Sequence, residues 1–231
     1  MTDKRFVSDS VEWDVHNWSK ALKFWEKNVE LDNKRLTCLE LGSRRGGLSL
    51  WLAMKGNYVV CSDLNSPEQM TSVLHKKYSF PGKIEYEAID ATKIPYENHF
   101  DIVIFKSILG GIGRNGNLNL IRIVIEEIYK SLKPGGVLLF AENLIASPMH
   151  QFFRKRITQW AGYWNYLHLE DVEELLSKFE SVHFQTAGFL GAFGRTEWQR
   201  RLLGWIDTIL VERIVMKRMK YIIFGAAIKR R

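Results

Sequence analysis

The chain has 231 residues, 46% of them hydrophobic and 26% charged, with no run of 18 apolar residues; that suits one soluble domain with a sizeable core and predicts no membrane-crossing helix. Two cysteines, Cys38 and Cys61, stand in apolar strand-like runs, and no Cys/His cluster has ligand spacing, which argues against a disulfide framework or a zinc site. The net charge of +7 sits in the last sixth: residues 195–231 hold ten Lys/Arg against three Asp/Glu, while residues 1–194 balance to zero.

In the first 30 residues Trp18, Leu22 and Trp25 share one helical face, with Trp13 just upstream. This predicts a helical unit over 1–33, packed by its aromatic stripe and placed as a lid over a substrate pocket. The opening MTDKRFVSDS lacks an apolar stretch of signal-peptide length, so a cytoplasmic location is expected. From Leu36 onward short apolar runs alternate with helix-like stretches. Strands are predicted at 36–41, 58–63, 84–89, 100–105, 136–141, 182–186 and 221–228, and helices at 48–55, 67–77, 118–132 and 169–178. Alternation of this kind predicts an α/β fold, a three-layer αβα Rossmann-like sandwich around a mainly parallel sheet. Residues 195–220 are too long for an idle loop, and Leu202, Leu203, Ile206, Ile209, Leu210 and Ile214 recur near helical spacing. They predict an amphipathic helical insertion, centred on 198–219, within a body spanning 34–231. Its basic charge suits an anionic partner, and such a helix suits a membrane surface carrying anionic lipid.

The segment 36–47, LTCLELGSRRGG, reads as a strand, a tight glycine turn and the start of a helix. Glycines there let the backbone approach a ligand beyond the carboxyl end of the strand. Twenty-one residues after Gly42 a second strand ends in Asp63, an acid placed to accept hydrogen bonds from a ribose diol. The spacing suits any adenosine-containing cofactor. It does not match the dinucleotide pattern GxGxxG, because Arg44 stands at the middle glycine position.

ELGSRRGG resembles the glycine-rich first motif of class I S-adenosylmethionine-dependent methyltransferases. Ile89-Asp90-Ala91 followed by KIPYENHFDIVIF resembles that family's adenine-binding segment running into its fourth strand. SLKPGGVLLFAEN resembles its fifth strand with the turn before it, and YIIFGAAIK its antiparallel seventh strand. The resemblance covers 34–143, and more weakly 169–190 and 221–229. It implies a seven-stranded sheet with an antiparallel last strand, S-adenosylmethionine as cofactor and S-adenosylhomocysteine as product. Carried over by position, it implies that Glu40 orients the turn or meets the methionine amino group, that Gly42 and Gly46 let the backbone pass close, that Asp63 holds the ribose hydroxyls, and that Asp90 accepts from the adenine amino group beside the Ala91 N–H. Ser43, Leu64 and Lys106 are expected beside the cofactor.

A sulfonium methyl is already electrophilic, so the protein has to align donor and acceptor and exclude water. A hydroxyl acceptor also needs a base. Glu142, His150 and His168 follow the carboxyl end of the fifth strand and are the candidates. Lys106, Arg114 and Arg154 are candidates for a phosphate or carboxylate on the substrate. Lys106 stands where a metal-dependent enzyme would place an acid, so a metal-independent reaction is expected. FKSILGGIGR, AENLIASPMHQFFRKR and GFLGAFGR resemble a bacterial group of methyltransferases associated with surface-polysaccharide biosynthesis, which implies O-methylation of a small molecule or a nucleotide- or lipid-linked glycan at the inner membrane face. Methylation of RNA or another nucleic acid is the weaker alternative, because no Asp/Asn-Pro-Pro-Tyr segment or appended RNA-binding module is present. A non-catalytic, cofactor-binding partner subunit and a nicotinamide dehydrogenase are the other rivals.

Overall fold

A computed structural model describes residues 3–157 and 162–231, with the backbone alone for 155–157. The chain opens with two helices, α1 (Lys4–Val11) and α2 (Val15–Asn28). The alternating body follows: β1 (Thr37–Leu41), α3 (Gly47–Met54), β2 (Tyr58–Asp63), α4 (Glu68–His75), β3 (Lys83–Ala88), β4 (Phe100–Lys106), α5 (Leu109–Ile112), α6 (Leu118–Ser131) and β5 (Leu132–Asn143). Beyond it come α7 (Pro148–Ile157), α8 (Leu169–Leu175), β6 (Ser181–Ala187), α9 (Glu197–Ile206), a π-helical turn at Asp207–Val211, α10 (Glu212–Ile214) and β7 (Ile222–Ile228).

The seven strands form one sheet in the order β3-β2-β1-β4-β5-β7-β6. β1 to β5 pair in parallel, and β7 runs antiparallel to both β5 and β6. This is the Rossmann-like sandwich with an antiparallel last strand that the sequence predicts. Strands in the middle read as unbroken apolar runs because both faces are covered: Ile102, Val103, Ile104 and Phe105 of β4 are all buried. One face carries α6, whose Ile121, Val124, Ile125 and Ile128 recur at helical spacing and pack on Val103, Phe105 and Leu138. Asn117 starts that helix by accepting the Leu120 N–H. The other face carries α2 and α3, with Trp18, Trp25 and Trp51 against Cys38, Ile104, Leu139 and Phe224. Trp25 and Trp51 pack ring on ring, and the Trp25 indole donates to the Gly225 carbonyl at 2.9 Å.

The elements differ from the sequence reading in several places: α5 and α7 were not predicted, and the 195–220 insertion is broken by the π-helical turn at Asp207–Val211. β5 starts four residues early, at Leu132, because its edge pairs with Phe100 across an irregular step before the ladder resumes at Ile102 and Val137. The N-terminal unit is two helices, parted at Glu12–Asp14, where Glu12 and Asp14 hold positive φ angles of 68° and 44°.

Candidate active site at the carboxyl ends of the strands

The site is built around the turn between β1 and α3. Gly42 and Gly46 hold φ angles of 62° and 74°, left-handed backbone that glycine adopts without cost. A side chain at Gly42 would strike Ile108 at 2.5 Å, and one at Gly46 would strike the His75 ring at the same distance. Both positions are therefore fixed by the turn and by packing from Ile108, at the start of α5, and from α4. Between them, Arg44 holds φ 51° at the position where the dinucleotide pattern has glycine, a conformation that costs a non-glycine residue about 1–2 kcal/mol. Compensation comes from its contacts. Its N–H donates to Asp63 Oδ2 at 3.0 Å, its guanidinium pairs with Glu12 at 3.2 Å, and it lies over the Trp13 ring.

Glu40 ends β1 fully buried and accepts the Ser49 N–H at 2.8 Å and the Ser49 hydroxyl, which ties the strand end to the first turn of α3. Burial pushes its carboxyl up to about 7, against those hydrogen bonds. Asp63, at the end of β2, accepts from the N–H groups of Arg44 and Leu64. The Ile89 N–H donates to the Asp63 carbonyl at 2.8 Å, so Ile89-Asp90-Ala91 lies beside it at the end of the neighbouring strand. Asp90 is exposed, accepts from the N–H and hydroxyl of Thr92, and is held below the usual carboxylate range by those bonds. Leu64 is 65% exposed at the rim.

Lys106 ends β4 with its amine buried. The Nζ lies 2.9 Å from the Trp13 ring centroid and 4.7 Å from that of Trp18, without a hydrogen-bond partner among the described residues. Burial lowers its pKa to about 7, although the nearby Glu12 carboxylate works the other way. It is thus not a free surface cation for a substrate phosphate. Glu40, Gly42, Ser43 and Lys106 share a small, partly open space of about 60 Å³ with Ser10, Glu12, Trp13, Arg44 and Ser107. The Ser43 hydroxyl there is likewise buried and unpartnered. Three residues on this wall hold positive φ angles (Glu12, Arg44 and Ser107), a concentration of backbone strain of the kind that marks functional sites.

The three base candidates do not converge on this space. Glu142 is buried at the end of β5, with one oxygen on the Leu109 N–H and the other on the Asn143 N–H, both at 2.8 Å. It caps α5, and burial raises it to about 7. His150 is fully buried. Its Nε2 donates to the Phe189 carbonyl at 2.8 Å, leaving Nδ1 to accept from Ser147 at 2.7 Å, and it stacks on Phe193. Desolvation lowers it to about 4, so it is a neutral structural bridge with no nitrogen left for an acceptor. His168 is exposed at the start of α8, where its N–H donates to Asp171. Arg154 donates to the carbonyls of Leu144 and Ile145 and lies over Tyr166, so it is spent on the chain. Arg114 is exposed over Tyr163. The last basic residues of the AENLIASPMHQFFRKR segment, Lys155 and Arg156, lie outside the described side chains.

Of the wall formed by Ser10, Glu12 and Trp13, the sequence reading named only Trp13, within a unit expected over a substrate pocket; Ser10 and Glu12 were not singled out. The signal available was the Trp13 indole next to an aromatic helix face, together with an unexplained Arg44 in the glycine turn.

Comparison with known proteins agrees with this geometry. Residues 39–140 match the model of a family described as a methyltransferase domain. No curated protein matches the chain. Among solved structures, the chain is similar to a S-adenosylmethionine-dependent methyltransferase from Methanosarcina mazei, at 19% identity over 89% of this chain and 96% of that one, with a TM-score of 0.64. It is similar to phosphoethanolamine N-methyltransferase 2 of Haemonchus contortus in complex with phosphomonomethylethanolamine and S-adenosylhomocysteine, at 17% identity over 93% of this chain and 53% of that one, TM-score 0.60. It is also similar to an N-methyltransferase of Bradyrhizobium japonicum, at 14% identity over all of both chains, TM-score 0.58. Residues 39–140, 102 of the 231, thus match a methyltransferase domain, and the chain shares the fold of the methyltransferases to which it is similar.

Proposed function

We propose that the chain transfers a methyl group from S-adenosylmethionine to a small molecule or to a nucleotide- or lipid-linked glycan. The observation that carries this reading is the set of polar groups at the ends of β1 to β4. The buried, unpartnered Lys106 amine and Ser43 hydroxyl face one cavity beneath the glycine turn, with Asp63 and Asp90 in line along the neighbouring strands. These groups fit the cofactor: Lys106 and Ser43 for its methionine end, Asp63 for the ribose hydroxyls, and Asp90 with the Ala91 N–H for the adenine. Bound there, the cofactor supplies a methyl group made electrophilic by its sulfonium. The chain's own part is to bind, orient and exclude water.

Ligand sites usually enclose about 300–1,000 Å³, against about 60 Å³ here. Cofactor entry therefore requires Glu12–Asp14 to move off the turn, which makes the Arg44–Glu12 pair and the Arg44–Trp13 contact a latch. An oxygen acceptor fits the polysaccharide-related resemblance. A second reading, transfer to nitrogen, is favoured by the hydrogen bonds that commit both Glu142 oxygens and both His150 nitrogens, since a neutral amine needs no base to expose its lone pair. The test is calorimetric titration with S-adenosylmethionine of the native protein and Asp63→Ala, then a screen for S-adenosylhomocysteine release with sugar and amine acceptors. Binding weakened at least roughly tenfold by the substitution is expected. Absence of binding by folded native protein overturns the reading, and the acceptor that turns over decides between oxygen and nitrogen.

A further inference from the structure

Helix α9 is mounted inside out. A helix on a globular body normally turns its apolar stripe inward. Here the fully buried residues that seat it are small or polar, with Leu203 and Ile206 half-buried beside them. A side chain at Gly204 would strike His16 at 2.7 Å. The buried Asp207 carboxylate, one residue beyond the helix, accepts the N–H groups of Phe189, Leu190 and Gly191. Glu197 accepts those of Asp14 and Val15. The outward face, at spacings of four, three and four residues, is Trp198, Leu202, Trp205 and Ile209, which are 62%, 46%, 57% and 40% exposed. Leu210, Ile214 and Met216, further along the segment, are 59%, 83% and 51% exposed.

This is no scatter of single exposed residues, which would need no explanation. The stripe adjoins a groove of about 720 Å³ between α1, α2 and α9, whose walls include Phe6, Val7, Leu22 and Trp51 and which Trp198 and Arg201 border. Cations frame both. Lys4, Lys23, Arg201, Arg213 and Arg218 are exposed and form no ion pair among the described residues.

We propose that this face docks on a bilayer surface carrying anionic lipid, with the tryptophans at headgroup depth and the framing cations against the lipid phosphates. The chemistry is that of interfacial helices, in which apolar burial and attraction to anionic lipid act together. Indole rings favour that depth because they join an apolar body to one N–H donor. Charge decides against a second copy of the chain, since a two-fold contact would bring the same cations together. No helix among the described residues is long and apolar enough to cross a membrane, so the attachment is peripheral. This inference is independent of which acceptor is methylated.

The experiment is co-sedimentation of the full chain with vesicles of phosphatidylcholine alone, or with about one third phosphatidylglycerol. Native protein is expected to bind the anionic vesicles at least roughly tenfold more tightly than the neutral ones, and to release as salt rises. Trp198→Ser with Trp205→Ser is expected to weaken that binding by at least roughly tenfold while leaving the melting temperature and cofactor binding unchanged. Arg213→Glu with Arg218→Glu, also exposed and outside the site, is expected to weaken it by roughly tenfold or more and to flatten the salt dependence. No sedimentation with anionic vesicles, or binding equal in the native protein and the tryptophan variant, overturns the proposal. So does light scattering that finds a dimer which the tryptophan substitutions split, because the face then belongs to a second copy.

Discussion

Helices α6 and α9 carry similar amphipathic patterns and face opposite ways. α6 turns Ile121, Val124, Ile125 and Ile128 into the sheet and leaves its polar side to water. α9 holds the body through Gly204, its Glu197 carboxylate and the following Asp207, and turns its tryptophans out. The lesson is that periodicity reports that a helix has two faces, and only the neighbours decide which one is buried. α6 lies over a sheet face with apolar side chains to match. α9 lies over the α2 start and the 188–191 loop, which offer N–H groups and a histidine.

The contrast breaks most visibly in stability. Ile128→Ala in α6 removes a fully buried side chain and is expected to cost about 2–5 kcal/mol, measured by urea unfolding. Trp205→Ser in α9, though it deletes more surface, is expected to stay within about 0.5 kcal/mol. A loss above about 2 kcal/mol for Trp205→Ser would mean that the outward face is packed after all.

A smaller effect probes the seat of α9. Gly204→Val places a branched side chain where His16 and Asn17 already lie, so a cost of about 1–3 kcal/mol is expected although glycine-to-valine favours an isolated helix. Stabilisation instead would show that α9 is not held against α2.

The smallest effect is a pH dependence that α6, attached by apolar contacts, lacks. Asp14, whose N–H holds Glu197, has its carboxyl raised to about 7 by burial, against hydrogen bonds from Tyr221 and Asn17. The folded chain then keeps a proton that the unfolded chain has released, so this group's contribution to stability falls as pH climbs from about 4 to about 7. His150, lowered to about 4, acts in the opposite direction over part of that range, so the informative quantity is the difference between variant and native. Asp14→Asn is expected to flatten the decline by on the order of 1 kcal/mol in thermal melts taken across that range. Parallel profiles for the two proteins would remove Asp14 as its source.

What was readable in the sequence follows the same division between pattern and neighbours. The strands were legible because burial on both faces leaves continuous runs such as that at Ile102–Phe105. The glycine turn and Asp63 were legible because a left-handed backbone and a strand-end acid are local requirements. The sequence reading offered His150 and Glu142 as base candidates with no sign of their hydrogen bonds, because the partners, the Phe189 carbonyl and the Leu109 N–H, lie 39 and 33 residues away. Sequence offers no sign that one distant backbone group has engaged the His150 Nε2–H and another a Glu142 lone pair. Glu12 was hidden for a related reason: Arg44 looked like a defect in a glycine motif until Glu12 and Trp13 came to meet it.

The anchoring of the first 28 residues has a consequence for the order of synthesis. The Trp25 indole bonds the Gly225 carbonyl, Asn17 donates to the Tyr221 hydroxyl, and that hydroxyl bonds Asp14, so each partner is made about two hundred residues later. A chain leaving the ribosome at about 5–20 residues per second can assemble β1 to β5 well before its last strand emerges. The N-terminal wall of the proposed cofactor site then waits, some two hundred residues upstream, for β7 to give it a place to rest.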